Sequence, residues 1–178
     1  MRFEPTIVAG VVVVDPERHA DARGHFARLH CPDEFAAAGH SFVPAQTSLS
    51  HNIAAGTLRG MHYQAAPHAE TKLVRAVRGR IFDVAVDLRP DSPTHLRWVS
   101  VELSADNGRA VLIPEGVAHG FVTLEPDTDV LYQISPMFQP GHDRGVRWND
   151  PAFGIEWPMA PAVISERDVG YADYAPDA

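Results

Sequence analysis

RIFDVAVDL, residues 80–88, sets Phe82, Val84, Val86 and Leu88 on one side of an extended chain and Ile81, Asp83, Ala85 and Asp87 on the other. A period of two, with one apolar face and one mixed face, reads as a half-buried antiparallel strand. Further segments of strand character lie at 10–14, 24–30, 57–63, 71–77, 97–103, 109–113, 119–124 and 129–135. Turn formers stand between them, among them RGR at 78–80, RPDSP at 89–93, ADNG at 105–108 and PEG at 114–116. Short strands in succession predict an all-β domain, a sandwich or barrel. One short helix is predicted in CPDEFAAAGH at 31–40, where Pro32 suits the first turn, Asp33 and Glu34 suit its positive end and Gly39 closes it.

The chain has 178 residues, which suits one domain spanning 1–178, with an irregular tail from about 158 in which ISERD at 164–168 folds back as a turn. A 45% hydrophobic content argues against disorder, and 13 Gly with 15 Pro fit many turns. The net charge of -8 makes nucleic acid a poor partner. The single cysteine, Cys31, excludes an intrachain disulfide and a thiolate cluster, and reads as a reduced, structural thiol. IVAGVVVV at 7–14 is too short to cross a bilayer, and the DPERHAD after it lacks a small-residue cleavage site, so no membrane association and a cytoplasmic location are expected.

TLRGMHYQ at 57–64 places Arg59 and His62 around Gly60 inside a strand. Strict alternation would send the two side chains to opposite faces, whereas a bulge at Gly60 would turn both toward one cavity. Lys72 shares its face with Val74 and Ala76, and Tyr132 with Val130 and Ile134, so each puts a polar tip among apolar neighbours. Such groups form either a satisfied polar network or a site.

IPEGVAHGF at 113–121 fits the P-x-G-x-x-H pattern of the second cupin motif through Pro114, Gly116 and His119, whose turn sets up a strand with its histidine pointing into a cupin-type barrel. The first cupin motif fails as a metal site. Lys72 stands seven residues before Gly79, where a carboxylate ligand belongs, and Gln64 stands where a second histidine belongs. A cation there argues against a metal, although His68 and Glu70 with His62 and His119 form an alternative ligand set. A metal-free cavity holding His, Lys and Tyr suits proton transfer next to a carbonyl. Histidine would take the proton, lysine would stabilise the enolate oxygen and tyrosine would return a proton, giving epimerisation when acid and base stand on opposite sides of the carbon.

From Asp21 to Asp168 the chain resembles the dTDP-4-dehydrorhamnose 3,5-epimerase family, metal-free nucleotide-sugar epimerases. The likeness runs in order through DARGHF, TLRGMHYQ, KLVRAVRGRIFDVAVDLRPDSPT, IPEGVAHGF, VLYQIS, RGVRWNDPAFGIEWP and ISERD. It implies a jelly-roll homodimer without cofactor that inverts C3 and C5 of a 4-dehydro-6-deoxy sugar carried on a nucleoside diphosphate. It implies His62 as base oriented by Asp168, Tyr132 as acid and Lys72 beside the enolate. Arg59 and His119 would meet sugar and diphosphate, Arg23 and Arg167 the nucleotide, and Arg28, Gln46, Ser48, Phe138 and Asp143 would complete the substrate site.

There are three departures from the founding members: Arg28 replaces an acid, a usual Gln-x-Asn is replaced by Gln46, Thr47 and Ser48, and Phe138 replaces a frequent tyrosine. They bear on substrate identity more than on chemistry. An epimerase acting at C3 only, at C5 only or on another nucleotide sugar is the alternative, followed by a metal-dependent cupin enzyme and a non-catalytic sugar-nucleotide binder.

Overall fold

The computed structural model describes residues 1–175. In chain order the strands are β1 (Arg2–Pro5), β2 (Val12–Asp15), β3 (Arg18–Asp21), β4 (Gly24–Ala27), β5 (Gln46–Asn52), β6 (Leu58–Gln64), β7 (Thr71–Arg78), β8 (Arg80–Asp87), β9 (Trp98–Ser104), β10 (Ala110–Ile113), β11 (Val117–Thr123), β12 (Thr128–Ser135) and β13 (Asp143–Gly145). Two short helices join them, α1 (Pro32–Ala37) and α2 (Glu166–Val169). Six strands form one sheet in the order β1-β2-β10-β7-β12-β5, five form a second in the order β13-β6-β11-β8-β9, and β3 pairs with β4 alone. The strand ladders are antiparallel, as in the jelly roll expected from the sequence.

The main core lies between the two large sheets. Val74, Ala76, Val111, Ile113 and Val130 from one meet Ile81, Ala85, Leu103, Val117 and Phe121 from the other. Lys72 and Tyr132 belong to the same inner faces, as the alternation in β7 and β12 requires.

In β8 the structure departs from the half-buried reading. Both faces are covered, because Val84, Val86 and Leu88 pack under Val146, Phe153 and Trp157 from the segment after β13. That cover has no strand or helix period of its own, so nothing in RIFDVAVDL announces it. On the outside of the larger sheet, α1 packs Phe35 among Val12, Val14, Leu73 and Leu112, with Phe3 edge-on at 4.9 Å.

Four strands escaped the sequence reading: β1, β3, β5 and β13. β5 is the instructive one, because QTSLSHN lacks an apolar face. It is an edge strand whose Gln46, Ser48 and Ser50 line a cavity, so it needs no buried stripe. ISERD, read as a turn, closes one helical turn instead, with Ser165 capping α2 by accepting from the Asp168 backbone N–H at 3.1 Å. Among the described residues no helix is long and apolar enough to cross a membrane.

Candidate active site

Strand β6 answers the puzzle of Arg59 and His62. His62 pairs with His119 and Arg59 with Phe121, so Gly60 and Met61 together oppose Gly120 alone. This is a β-bulge, and the extra residue turns Arg59 and His62 to one side. Both line a cavity of about 390 Å³ between the sheets.

From β6, His62 reaches Asp168 of α2, with Nε2 2.7 Å from Oδ1. The other carboxylate oxygen accepts from the Gly60 backbone N–H at 3.3 Å. Burial would raise the Asp168 carboxyl, but the hydrogen bond and charge of His62, with the Gly60 amide, pull it below its ordinary value. An ionised Asp168 fixes the tautomer: Nε2 carries the hydrogen and Nδ1 keeps the basic lone pair.

A second histidine–aspartate pair lies deeper. His119 Nε2 stands 2.7 Å from Asp83 Oδ2, with side chains 3% and 1% exposed. Loss of water raises the Asp83 carboxyl, against the opposing influence of His119 and Lys72. Tyr132 sets its ring edge-on to His119 at 5.9 Å. Burial first, and then the charge of Asp83, push the Tyr132 hydroxyl far above its ordinary value, so the phenol keeps its proton.

Lys72 is nearly buried, and its ammonium is held 2.9 Å from Glu70 Oε1 and donates to the His62 carbonyl at 3.2 Å. At the mouth, the Phe138 N–H donates to Gln46 Oε1 at 3.0 Å. Arg167 pairs closely with Asp143, which holds that carboxyl below its usual range.

The cavity therefore gathers His62, Lys72, Tyr132, Arg59, His119, Gln46, Ser48, Phe138, Asp143 and Arg167, with Asp168 directly behind His62. Arg23 and Arg28 stand elsewhere. Arg23, at the tip of the exposed β3–β4 hairpin, is taken by Asp21 at 2.6 Å, and Arg28 by Glu34 at 2.7 Å. Each has a carboxylate within a few residues of it, and the hairpin shares no strand ladder with either large sheet.

The sequence reading passed over Asp83 and Asn52. Asp83 was legible as an acid among Ile81 and Ala85 on one face of β8; Asn52, at the end of a polar strand, gave no signal. The four side chains weighed as metal ligands are otherwise engaged: Glu70 with Lys72, His62 and His119 with aspartates, and His68 packed on His142 at 4.4 Å.

The sequence model of the dTDP-4-dehydrorhamnose 3,5-epimerase family matches residues 5–175. A dTDP-4-dehydrorhamnose 3,5-epimerase of Sinorhizobium fredii is 44% identical over 171 residues, covering 94% of this chain and 87% of the relative. A dTDP-4-dehydrorhamnose 3-epimerase of Streptomyces niveus is 38% identical, covering 94% of this chain and 81% of the relative. Among solved structures, the Bacillus anthracis dTDP-4-dehydrorhamnose 3,5-epimerase with TDP and PPi bound superposes with a TM-score of 0.94 at 38% identity, covering 97% of this chain and 99% of that one.

Proposed function

The chain belongs to the dTDP-4-dehydrorhamnose 3,5-epimerase family, and from that premise we propose that it converts dTDP-4-dehydro-6-deoxy-glucose to dTDP-4-dehydro-L-rhamnose by inverting C3 and C5. It is an isomerase, a carbohydrate epimerase. One observation carries the mechanistic reading: His62, tied to Asp168 at 2.7 Å, comes from one sheet, and Tyr132 comes from the sheet facing it.

At each centre the neutral Nδ1 of His62 takes the proton from the carbon beside the C4 carbonyl. The C–H electron pair moves into the C3–C4 or C4–C5 bond, and the carbonyl pair moves onto O4, giving an enolate. Asp168 stabilises the imidazolium that forms. Lys72, held by Glu70 and the His62 carbonyl, offers its remaining donor to the enolate oxygen. Collapse of the enolate draws a proton from Tyr132 onto the opposite face of the carbon. The carbon has inverted, His62 holds one extra proton and Tyr132 lacks one; exchange with water resets both. A buried tyrosinate beside Asp83 is costly, so Tyr132 recovers its proton readily.

Arg59 and Arg167 supply guanidinium groups at the mouth, the donor type that pairs with diphosphate. Arg23 and Arg28 do not line the cavity of their own chain, so a role at the nucleotide would call for a second copy, in keeping with the homodimer that the family resemblance implies. A single-centre reaction is the second reading, favoured by the Streptomyces niveus relative being a 3-epimerase.

Proton NMR of the product decides between them. Inversion at both C3 and C5 supports the main reading, inversion at C3 alone selects the second, and unchanged sugar in the presence of bound nucleotide overturns both.

A further inference from the structure

We infer that Asn52 is a positioning residue for Arg59, aiming its guanidinium at a phosphate of the nucleotide; this rests on the nucleotide-sugar reading above. Asn52 ends β5 and is 1% exposed. Its side-chain nitrogen donates to the backbone carbonyls of Ser50 and Thr128, both at 3.1 Å. Flipping the amide would set its oxygen against two carbonyl oxygens, so the orientation is fixed. Oδ1 is thereby held toward β6, where it accepts from Arg59 Nε at 2.8 Å.

Arg59 is the exposed residue in an otherwise largely buried strand and borders the cavity. Among the described residues, the Arg59 side chain makes no other hydrogen bond and no ion pair. With Nε occupied and the plane of the group set, Nη1 and Nη2 remain as a free fork, the geometry that takes two phosphate oxygens at once. The chemistry at 52 matters as much as the geometry. An aspartate there would also accept from Nε, but it would neutralise the guanidinium; the neutral amide orients the charge and leaves it whole. A residue that merely closed β5 would need only the two backbone contacts.

The test is a double-mutant cycle on dTDP affinity, measured by calorimetry for the wild type, Asn52→Ala, Arg59→Ala and the double variant. A charge-assisted hydrogen bond predicts a loss of roughly tenfold for Asn52→Ala, with the loss in turnover carried by KM rather than kcat. Because Asn52 would act through Arg59, the double variant should bind no worse than Arg59→Ala. Wild-type affinity in Asn52→Ala, or losses that multiply fully in the double variant, overturns the inference and leaves the nucleotide reading intact. A wild type that does not bind dTDP overturns the nucleotide reading, and this inference with it. Should Asn52→Ala fail to fold, Asn52→Ser replaces it, because its hydroxyl can still donate to one of the two backbone carbonyls while the amide oxygen that meets Arg59 is gone. Weaker dTDP binding is then expected, and wild-type binding overturns the inference.

Discussion

Gly60 on β6 and Gly120 on β11 approach so closely that a methyl group on Gly60 would stand 2.5 Å from the Gly120 Cα. Gly60 also has φ +146, a backbone conformation that side chains rarely permit. The clash is with backbone, so no rotamer relieves it, and the bulge that brings Arg59 and His62 together runs through this point. Gly60→Ala should therefore cost ~3 kcal/mol or more and lower Tm by roughly 6–12 °C, with activity lost. A variant melting like the wild type would contradict this account of the bulge.

Asp168→Asn keeps the shape but removes the carboxylate that, in the proposed mechanism, stabilises an imidazolium on His62. The expected loss in kcat is about 10²-fold or more, with dTDP affinity retained. Steady-state kinetics beside calorimetry separates the two. The ionised Asp168, depressed below its usual value, also predicts that this support persists through mildly acidic pH and fails only as pH drops past the folded pKa.

In the proposed mechanism Tyr132→Phe removes the proton donor and leaves the base. In D2O, the substrate should still exchange its proton on the His62 side, while inverted product falls by about 10²-fold or more. Normal turnover in this variant would reject Tyr132 as the acid.

Asp87 makes a prediction about stability. Its fully buried carboxylate accepts from Arg89 Nε and Nη2, both at 2.7 Å, and from the Thr94 hydroxyl at 2.6 Å. Burial alone would raise its pKa, but these bonds and one from Ser92 bring it down to about 2. Because the folded pKa lies below the unfolded one near 4, this group contributes about 2 kcal/mol above pH ~4, and the contribution is lost as pH falls toward 2. Asp87→Asn should be less stable at pH 7 by a similar amount and should flatten the stability profile between pH 4 and 2. Chemical denaturation at both ends of that window measures it, and an unchanged profile would refute the assignment.

How much of this was legible in the sequence depends on what each element must do. β7, β8, β11 and β12 carry the core, so their alternation announces them, and Lys72 and Tyr132 stand out because they interrupt it. The bulge was legible from a conflict: His62 and Arg59 could share a cavity only if Gly60 broke the register. β5 was invisible because it is an edge strand facing a cavity, where polar residues are tolerated on both sides. The cover over β8 was invisible because irregular chain has no period. Asp168 could be joined to His62 from the family resemblance alone, since 106 residues separate them and no local pattern encodes their contact. Asn52 was beyond reach because its part depends on the amide's orientation.

The most direct test of the central claim is deuterium incorporation at C3 and C5 of dTDP-4-dehydro-6-deoxy-glucose in D2O, comparing the wild type with His62→Asn and measuring dTDP affinity for both. The account predicts exchange at both carbons with the wild type, and exchange slowed by about 10³-fold or more in His62→Asn with dTDP still bound. Exchange at the wild-type rate in His62→Asn would contradict it, and the base would have to be sought elsewhere in the cavity.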